Sequence, residues 1–118
     1  MFIRTGTFLW TQHIQRKMRF YGLSESRLKR IVRHPARIEE GIAPHTVACM
    51  QPAGSSKNMQ EIWVMYQKKS ASKNQHSKLS GEAVTMISAW RYPGVSPKRN
   101  PIPQDILDEV LEMLELSE

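Results

Sequence analysis

The chain has 118 residues, 40% of them hydrophobic and 24% charged, and its net charge at pH 7 is +6. This length predicts one domain with a modest core, and the composition excludes a disordered chain. No apolar run reaches the roughly 18–20 residues of a membrane span, and the first residues lack the pattern of a secretory signal. The one cysteine, Cys49, excludes an intramolecular disulfide and lies in a strand-like run that predicts a core position. We therefore expect a cytoplasmic protein without a membrane partner.

The charge is divided unevenly along the chain. All 17 Lys and Arg lie at or before Arg99, and with the five acids of that part they give residues 1–100 a net charge of +12. The remaining residues contain six acids and no base. A body this basic predicts an anionic partner such as nucleic acid. The alternative is a basic domain that its own acidic tail neutralises, and both can be true.

Two short helices are predicted in the first third of the chain. The first eleven residues suggest a short strand or arm, after which Thr11 can cap a helix over residues 12–21 that ends at Gly22. Ser24 can cap a second helix, which Pro35 ends because the residue before a proline disfavours the α conformation. Apolar side chains recur at helical spacing, and basic side chains occupy the other faces. The pattern indicates two helices with a buried side and a cationic side.

After this point the apolar residues alternate, which predicts strands. The predicted strands cover residues 37–40, 45–51, 61–69 and 83–92, with loops at 52–58 and 70–81. Alternation in the third strand predicts two opposed faces, one with Ile62, Val64 and Tyr66 and the other with Trp63 and Met65. The last strand is apolar on both sides, which predicts a position inside the sheet.

The end of the chain is predicted to form a separate helix. Four prolines make residues 93–103 an extended tether, and residues 104–118 then form an acidic amphipathic helix that packs on or across the domain. Residues 1–92 form the domain itself. The predicted fold is α+β, with two N-terminal helices packed on a three- to four-stranded antiparallel sheet and a proline-tethered C-terminal acidic helix.

The residues that could carry chemistry form a set without metal ligands. The histidines have no zinc-binding spacing and the body acids are scattered, so neither a metal nor another cofactor is predicted. RNA cleavage without metal needs a base for the 2′-hydroxyl, cations for the phosphorane charge and an acid for the leaving oxygen. The candidate catalytic residues are His13, Lys17 and Arg91. The candidate nucleic-acid-binding residues are Arg16, Arg27, Arg30, His34, Arg37, Lys68 and Tyr92.

Each candidate also has a purely structural interpretation. His13, near the start of a helix, can hydrogen-bond a backbone carbonyl. The arginines of the second helix are typical of a solvated surface. Arg91 follows a buried apolar run and needs an anion, either an internal carboxylate such as Glu39 or Glu40 or a phosphate. The large aromatic residues of the strands are predicted to lie in the core rather than to stack on bases.

Several short motifs are similar to those of a known group of proteins. They are His13 at a helix start, Lys17-Met18, Tyr21-Gly22-Leu23-Ser24, Ile31-Val32-x-x-Pro35 and the run Met86-Ile87-Ser88-Ala89-Trp90-Arg91. Over about residues 11–92 they resemble small bacterial domains of unknown function related to BrnT and RelE/ParE-type toxins. The resemblance implies two helices on an antiparallel sheet and a metal-independent ribonuclease that acts on mRNA and is held in check by a cognate antitoxin. Only His13, Arg91 and the basic residue at position 16 or 17 carry over.

Three functions stay open from the sequence alone. The first is a metal-independent, toxin-like endoribonuclease. The second is a non-catalytic nucleic-acid-binding module: residues 12–33 have a helix-turn-helix outline, although the second helix has few side chains suited to reading bases. The third is an assembly protein whose basic face contacts an acidic partner or the acidic helix of a second copy. In that case the C-terminal helix can cover the basic face in cis or in trans.

Overall fold

Over the residues that it describes, the computed structural model contains three helices and a five-stranded mixed sheet, an α+β fold. The structure describes residues 7–42, 45–69, 83–98 and 101–116. The strands are β1 (Thr7–Trp10), β2 (Arg37–Glu40), β3 (Thr46–Gly54), β4 (Met59–Lys69) and β5 (Ala83–Pro93). The helices are α1 (Gln12–Tyr21), α2 (Glu25–Arg33) and α3 (Gln104–Leu116). Within the described ranges, no helix combines the length and apolar character needed to cross a membrane.

The predicted caps of α1 and α2 are confirmed. The side-chain oxygen of Thr11 accepts a hydrogen bond from the backbone N–H of Ile14 at 3.1 Å, and that of Ser24 accepts one from Arg27 at 3.1 Å. Gly22 ends α1 in the left-handed region with φ +69°, where a residue with a Cβ would be strained. Each side-chain cap typically stabilises a helix by about 1 kcal/mol. Both helices therefore begin at residues that the sequence identifies.

The sheet contains a parallel pair of strands in addition to the predicted antiparallel pairs. Its order is β1-β5-β4-β3-β2, and β2 to β5 form a four-stranded antiparallel arrangement. β1 joins the other side of β5 in parallel, from Thr7 opposite Ala83 to Trp10 opposite Met86. The prediction of a wholly antiparallel sheet was therefore wrong, because a four-residue strand gives no local sign of a partner so far along the chain. β5 has a neighbour on each side, as its apolar pattern predicted.

The β3–β4 hairpin extends further than predicted. β3 continues to Gly54 and β4 begins at Met59, so residues 55–58 form the loop in place of the predicted 52–58. Pro52 is accommodated within β3 because β2 begins at Arg37, opposite Met50, and does not extend beyond it, so Pro52 lies where β3 is an edge strand. The predicted loop at 70–81 lies outside the described residues.

The sheet separates two hydrophobic clusters. The first lies against α1 and α2 and contains Ile14, Leu23, Leu28, Ile31, Cys49, Ile62, Val64, Val84, Met86 and Ala89. The second lies against α3 and contains Ala48, Met50, Trp63, Met65, Ile87, Trp90, Ile106 and Val110. The two predicted faces of β4 are thus confirmed. The indole rings of Trp63 and Trp90 are buried and stack with centroids 6.0 Å apart, which confirms their predicted core position.

A β-bulge in β5 changes which side chains face each cluster. Met65 and Tyr66 are consecutive in β4 but lie opposite Ser88 and Met86, so Ile87 is an extra residue in β5. Before the bulge, the even-numbered residues Val84 and Met86 contribute to the first cluster. After the bulge, the odd-numbered residue Ala89 does. The bulge therefore adds Ile87 to the second cluster, while Ala89 and Trp90 still lie opposite Val64 and Trp63.

The proline-rich segment is attached to the sheet. The backbone N–H and the hydroxyl of Ser96 donate to the carboxylate of Glu61 at 3.2 and 2.6 Å. Trp90 Nε1 donates to the carbonyl oxygen of Pro101 at 3.2 Å. These bonds hold the described parts of the segment against the sheet, and Ile106 and Val110 of α3 lie in the second cluster.

Candidate nucleic-acid interface

α1 starts where β1 leaves the edge of β5. β1 ends opposite Met86, and the next residue, Thr11, donates from its N–H and hydroxyl to the carbonyl oxygen of Met86, both at 3.3 Å. The same hydroxyl lies 3.0 Å from the carbonyl oxygen of Ile87 in the bulge. These bonds fix the first turn of α1 beside the bulge. As a result, His13 lies next to Ser88.

His13 is largely buried between α1 and β5. The residue is 6% exposed, and its Nε2 lies 2.8 Å from the hydroxyl oxygen of the fully buried Ser88. Burial lowers the pKa of His13 below its ordinary value of 6.5; Glu109 opposes this effect, and Lys17 and Arg16 add to it. The partner is thus a side-chain hydroxyl, where the structural interpretation of the sequence expected a backbone carbonyl. A neutral ring suits it, since a hydroxyl can either donate to or accept from an imidazole nitrogen.

A cleft of about 790 Å³ lies between α1 and α3. Its lining residues are Gln12, His13, Arg16, Lys17 and Phe20 from α1 and Glu109, Glu112 and Met113 from α3. Lys17 Nζ lies 2.7 Å from Glu109 Oε1 across the cleft. The basic part of the chain and its acidic C-terminal helix therefore meet at this cleft.

Phe20 lies at this cleft with most of its surface in solvent. It is 76% exposed, more than any other large hydrophobic residue in the described ranges. Its ring meets Tyr21 edge to face, with centroids 4.8 Å apart, and Lys17 Nζ lies 5.8 Å from its centroid. Phe20 was not among the predicted site residues. The sequence did contain a signal for it: Phe20 is an aromatic residue three positions after Lys17 and four after Arg16, and it lies outside the apolar stripe of α1.

Arg91 lies at the opposite end of α1 from His13. Its Nε donates to the carbonyl oxygen of Tyr21 at 2.9 Å and its Nη1 to Oε1 of Gln60 at 3.0 Å. Tyr21 ends α1 and follows His13 by eight residues, which corresponds to about 12 Å along a helix that rises 1.5 Å per residue. The three predicted catalytic residues are therefore not brought together: His13 and Lys17 share the cleft, and Arg91 binds the carboxyl end of α1. Both of these acceptors are neutral groups, whereas the sequence analysis expected a carboxylate or a phosphate.

Arg37, predicted to bind nucleic acid, is surrounded by internal partners. Its guanidinium donates to the carbonyl oxygens of Ser96 and Pro97 at 3.1 and 2.9 Å and to the carboxylate of Glu39 at 3.2 Å. It also lies 3.6 Å from the buried carboxylate of Glu61. These hydrogen bonds use all three guanidinium nitrogens. Arg37 therefore connects β2 to the segment after β5.

The other predicted nucleic-acid-binding residues lie on several parts of the surface. The exposed ones are Arg16, Arg30, His34 and Lys68, and the half-buried ones are Arg27 and Tyr92. Arg27 Nε is buried and has no hydrogen-bond partner among the described residues, and Tyr92 packs against the second cluster.

We use the name α1–α2 basic surface for the exposed bases of the two N-terminal helices. It consists of Arg16, Arg19, Arg30, Arg33 and, at the C-terminal cap of α2, His34. On the inner side of α2, Lys29 Nζ lies 5.3 Å and the Arg33 guanidinium 6.0 Å from the ring centroid of Phe8. The ring of Phe8, in β1, thus makes cation–π contacts with two charged side chains of α2.

Comparisons of the chain with models of protein families, with curated proteins and with solved structures find no match. Within the described ranges, no group of three or more His, Cys, Asp and Glu side chains is placed to hold a metal ion. The fold and the site define an α+β protein with a cationic helix pair and a cleft that contains a cation, an aromatic ring and an imidazole. Such groups can bind phosphate, stack on a planar base and exchange a proton.

Proposed function

We propose that this protein binds RNA through the α1–α2 basic surface. The observation that supports this proposal is the charge of the two helices: residues 12–33 contain seven Lys and Arg and a single acid, Glu25. Four of the bases, Arg16, Arg19, Arg30 and Arg33, are exposed. Clustered bases bind the phosphate backbone and release its counterions, which gives affinity without dependence on sequence.

The composition of α2 favours contacts to the backbone over reading of bases. The helix contains no Asn, Gln or Thr, the side chains that most often read adenine edges or contact bases in the major groove. A strand, β2, follows it where a helix-turn-helix domain usually has another helix. Binding to the phosphates of RNA requires neither feature.

The test measures binding of a labelled RNA by fluorescence anisotropy at several salt concentrations. Arg30→Glu combined with Arg33→Glu is expected to weaken binding and to reduce the slope of log affinity against log salt by about 1 for each phosphate that the variant no longer neutralises. Lys57→Glu combined with Lys98→Glu is the matched control, since it makes the same change of net charge at two exposed positions outside the proposed surface. Equal weakening by the control, or no binding by the wild type, would contradict the proposal.

A second candidate function is metal-independent cleavage of RNA at the α1–α3 cleft. The observation that favours it is the presence of His13, whose pKa burial lowers, in the same cleft as Lys17. A neutral imidazole can take the proton of a 2′-hydroxyl, and an ammonium group can stabilise the phosphorane charge. The resemblance to toxin domains adds a cognate antitoxin as the partner. Binding without cleavage is the better supported function, because His13 is nearly inaccessible and hydrogen-bonded to Ser88.

An assay of RNA cleavage in EDTA separates the two functions. If the protein is an enzyme, the wild type cleaves RNA, and His13→Gln and Lys17→Gln each lower the rate by about 100-fold, the size of a typical acid–base contribution. Lys57→Gln, at an exposed base of the β3–β4 loop outside both the cleft lining and the α1–α2 basic surface, is the control. Binding that depends on salt with no cleavage supports the binding function alone.

A further inference from the structure

We propose that the α1–α3 cleft binds an unpaired nucleotide of RNA, whose base stacks on Phe20 and whose phosphate replaces the Glu109 carboxylate at Lys17. This inference rests on the proposed RNA binding. It specifies that the ligand is single-stranded RNA, and that an acid of α3 competes with it.

Phe20 has the properties of a stacking platform. The apolar stripe of α1 consists of Ile14, Met18 and Tyr21, which pack on the first cluster, so the ring of Phe20 is not needed to fill the core. It stays 76% exposed, and its edge-to-face contact with Tyr21 limits its movement. Proteins bind single strands with an aromatic ring placed beside cationic side chains, because every nucleobase has a face that can stack on the ring.

In the proposed complex Lys17 contacts the phosphate, and without RNA it forms an ion pair with an acidic side chain of α3. Its ammonium group lies 2.7 Å from a carboxylate oxygen of Glu109, whose side chain is 44% exposed. The Lys17 side chain is 15% exposed, so the pair is accessible mainly from the Glu109 side, where a phosphate oxygen can take the place of the carboxylate. Arg16 adds a second base to the cleft, and Glu112 adds a second acid. The α3 acids therefore occupy the position that the proposal assigns to the ligand's charge.

The size of the cleft and the chemistry of RNA indicate an unpaired nucleotide. About 790 Å³ falls within the range of roughly 300–1,000 Å³ that small-molecule sites occupy. In a duplex the faces of the bases are covered by their neighbours in the stack and cannot reach Phe20. Unpaired bases can be splayed out and stacked on an aromatic side chain.

The first arm of the test compares an oligouridine of about ten nucleotides, within the usual range of single-strand sites, with a duplex RNA of equal length. Phe20→Ala is expected to weaken binding of the oligouridine by roughly 5- to 150-fold, the loss typical of one stacked base, and to leave duplex binding within about twofold. Ile38→Ala is the control, since Ile38 is also a well-exposed hydrophobic residue but lies on β2. Phe20→Trp should retain affinity, and its fluorescence should be quenched by the oligouridine.

The second arm tests competition by α3. Glu109→Gln is expected to raise the affinity for the oligouridine and to steepen its salt dependence by about 0.7, the value for one more neutralised phosphate on a single strand. Asp108→Asn removes the same charge from an exposed neighbour that does not line the cleft. In the double variant Lys17→Gln, Glu109→Gln the gain should disappear. An equal gain from Asp108→Asn would show an effect of net charge alone and would overturn the competition.

The outcomes separate this inference from the proposed function. If Phe20→Ala and Glu109→Gln leave oligouridine binding unchanged while substitution of Arg30 and Arg33 abolishes it, the cleft is not the site and RNA binding stands. If Phe20→Ala weakens duplex and single strand equally, stacking is overturned. If neither the wild type nor Glu109→Gln binds any RNA, both the proposed function and the inference fail.

Discussion

The carboxylate of Glu61 lies 3.6 Å from the guanidinium of Arg37, and this pair links β4, β2 and the segment after β5. Glu61 is only 3% exposed, although its side chain is a carboxylate. It also accepts hydrogen bonds from Trp63 Nε1 at 2.8 Å and from the N–H and hydroxyl of Ser96. The buried charge is therefore paired with a cation and accepts three hydrogen bonds, which is the condition for tolerating it inside a protein.

Removal of the Glu61 carboxylate should destabilise the fold strongly. Glu61→Ala leaves Arg37 with Glu39 as its carboxylate partner, but the buried Trp63 Nε1 and the N–H and hydroxyl of Ser96 lose their acceptor. Each buried donor left unsatisfied costs about 1–3 kcal/mol, so we expect the free energy of unfolding to fall by about 3–5 kcal/mol. Urea denaturation followed by circular dichroism measures this change. Glu40→Ala, at an exposed position of β2, should change the free energy by less than about 0.5 kcal/mol. A decrease below about 1 kcal/mol for Glu61→Ala would show that the pair is not needed.

Substitution of Arg91 should affect stability rather than RNA binding. Arg91→Ala removes two hydrogen bonds from a charged donor, one of them to the carboxyl end of α1, and should lower the free energy of unfolding by about 1.5–3 kcal/mol. Arg91→Lys should also be destabilising because an ammonium group cannot reproduce the planar fork. RNA affinity, measured where both variants are folded, should change by less than about twofold. If Arg91→Ala loses affinity and Arg91→Lys keeps it, the residue contacts phosphate after all.

His13 should make the stability of the protein depend on pH. Its pKa is lowered in the folded state, chiefly by burial, so the unfolded chain takes up the proton first as the pH falls through the ordinary value of 6.5. The free energy of unfolding should therefore decrease with falling pH below about 7 and stop decreasing once the folded state is also protonated. Urea titrations at several pH values should show this decrease in the wild type and a smaller one in His13→Gln. His34→Gln, at an exposed histidine, should keep the wild-type dependence; identical slopes in all three proteins would contradict the prediction.

Cys49 should be unreactive in the folded protein. Its thiol is buried, donates to the carbonyl oxygen of Ile31 at 3.8 Å, and has its pKa raised to about 12 by burial. At about pH 8 the reactive thiolate is then a very small fraction, so the reagent DTNB should label the thiol only as the protein unfolds. The urea midpoint of labelling should match that of circular dichroism. Complete labelling of the folded protein within seconds would contradict the buried position.

Local signals in the sequence were sufficient for the helices and for the faces of β4. Thr11, Gly22 and Ser24 act within a few residues of their positions, so their roles can be predicted without knowing the rest of the fold. The partner of β1 could not be predicted in this way. Its parallel pairing with β5 joins Thr7 to Ala83, and nothing in four residues specifies a neighbour at that separation.

The candidate site was predicted only in part because a sequence does not show which charges are used internally. Lys17 and His13 lie in one cleft, as their spacing on a helix suggested. Arg37 and Arg91 have the same appearance in sequence as phosphate-binding residues, but backbone carbonyls from distant segments satisfy them. Every residue has a backbone carbonyl, so the sequence does not show which carbonyls accept hydrogen bonds from these two arginines.

The extra residue in β5 makes this strand tolerate shortening better than lengthening. Deletion of Ile87 would place Met86 and Ser88 next to each other, opposite Tyr66 and Met65, in a regular ladder in which Trp90 keeps its partner and its face. An additional residue between Ile87 and Trp90 would instead turn all that follows to the other face of the sheet. Trp90 would then leave Trp63, and Arg91 would leave the end of α1. Related chains should therefore include strands with and without the bulge, and an inserted residue in this strand should be rare.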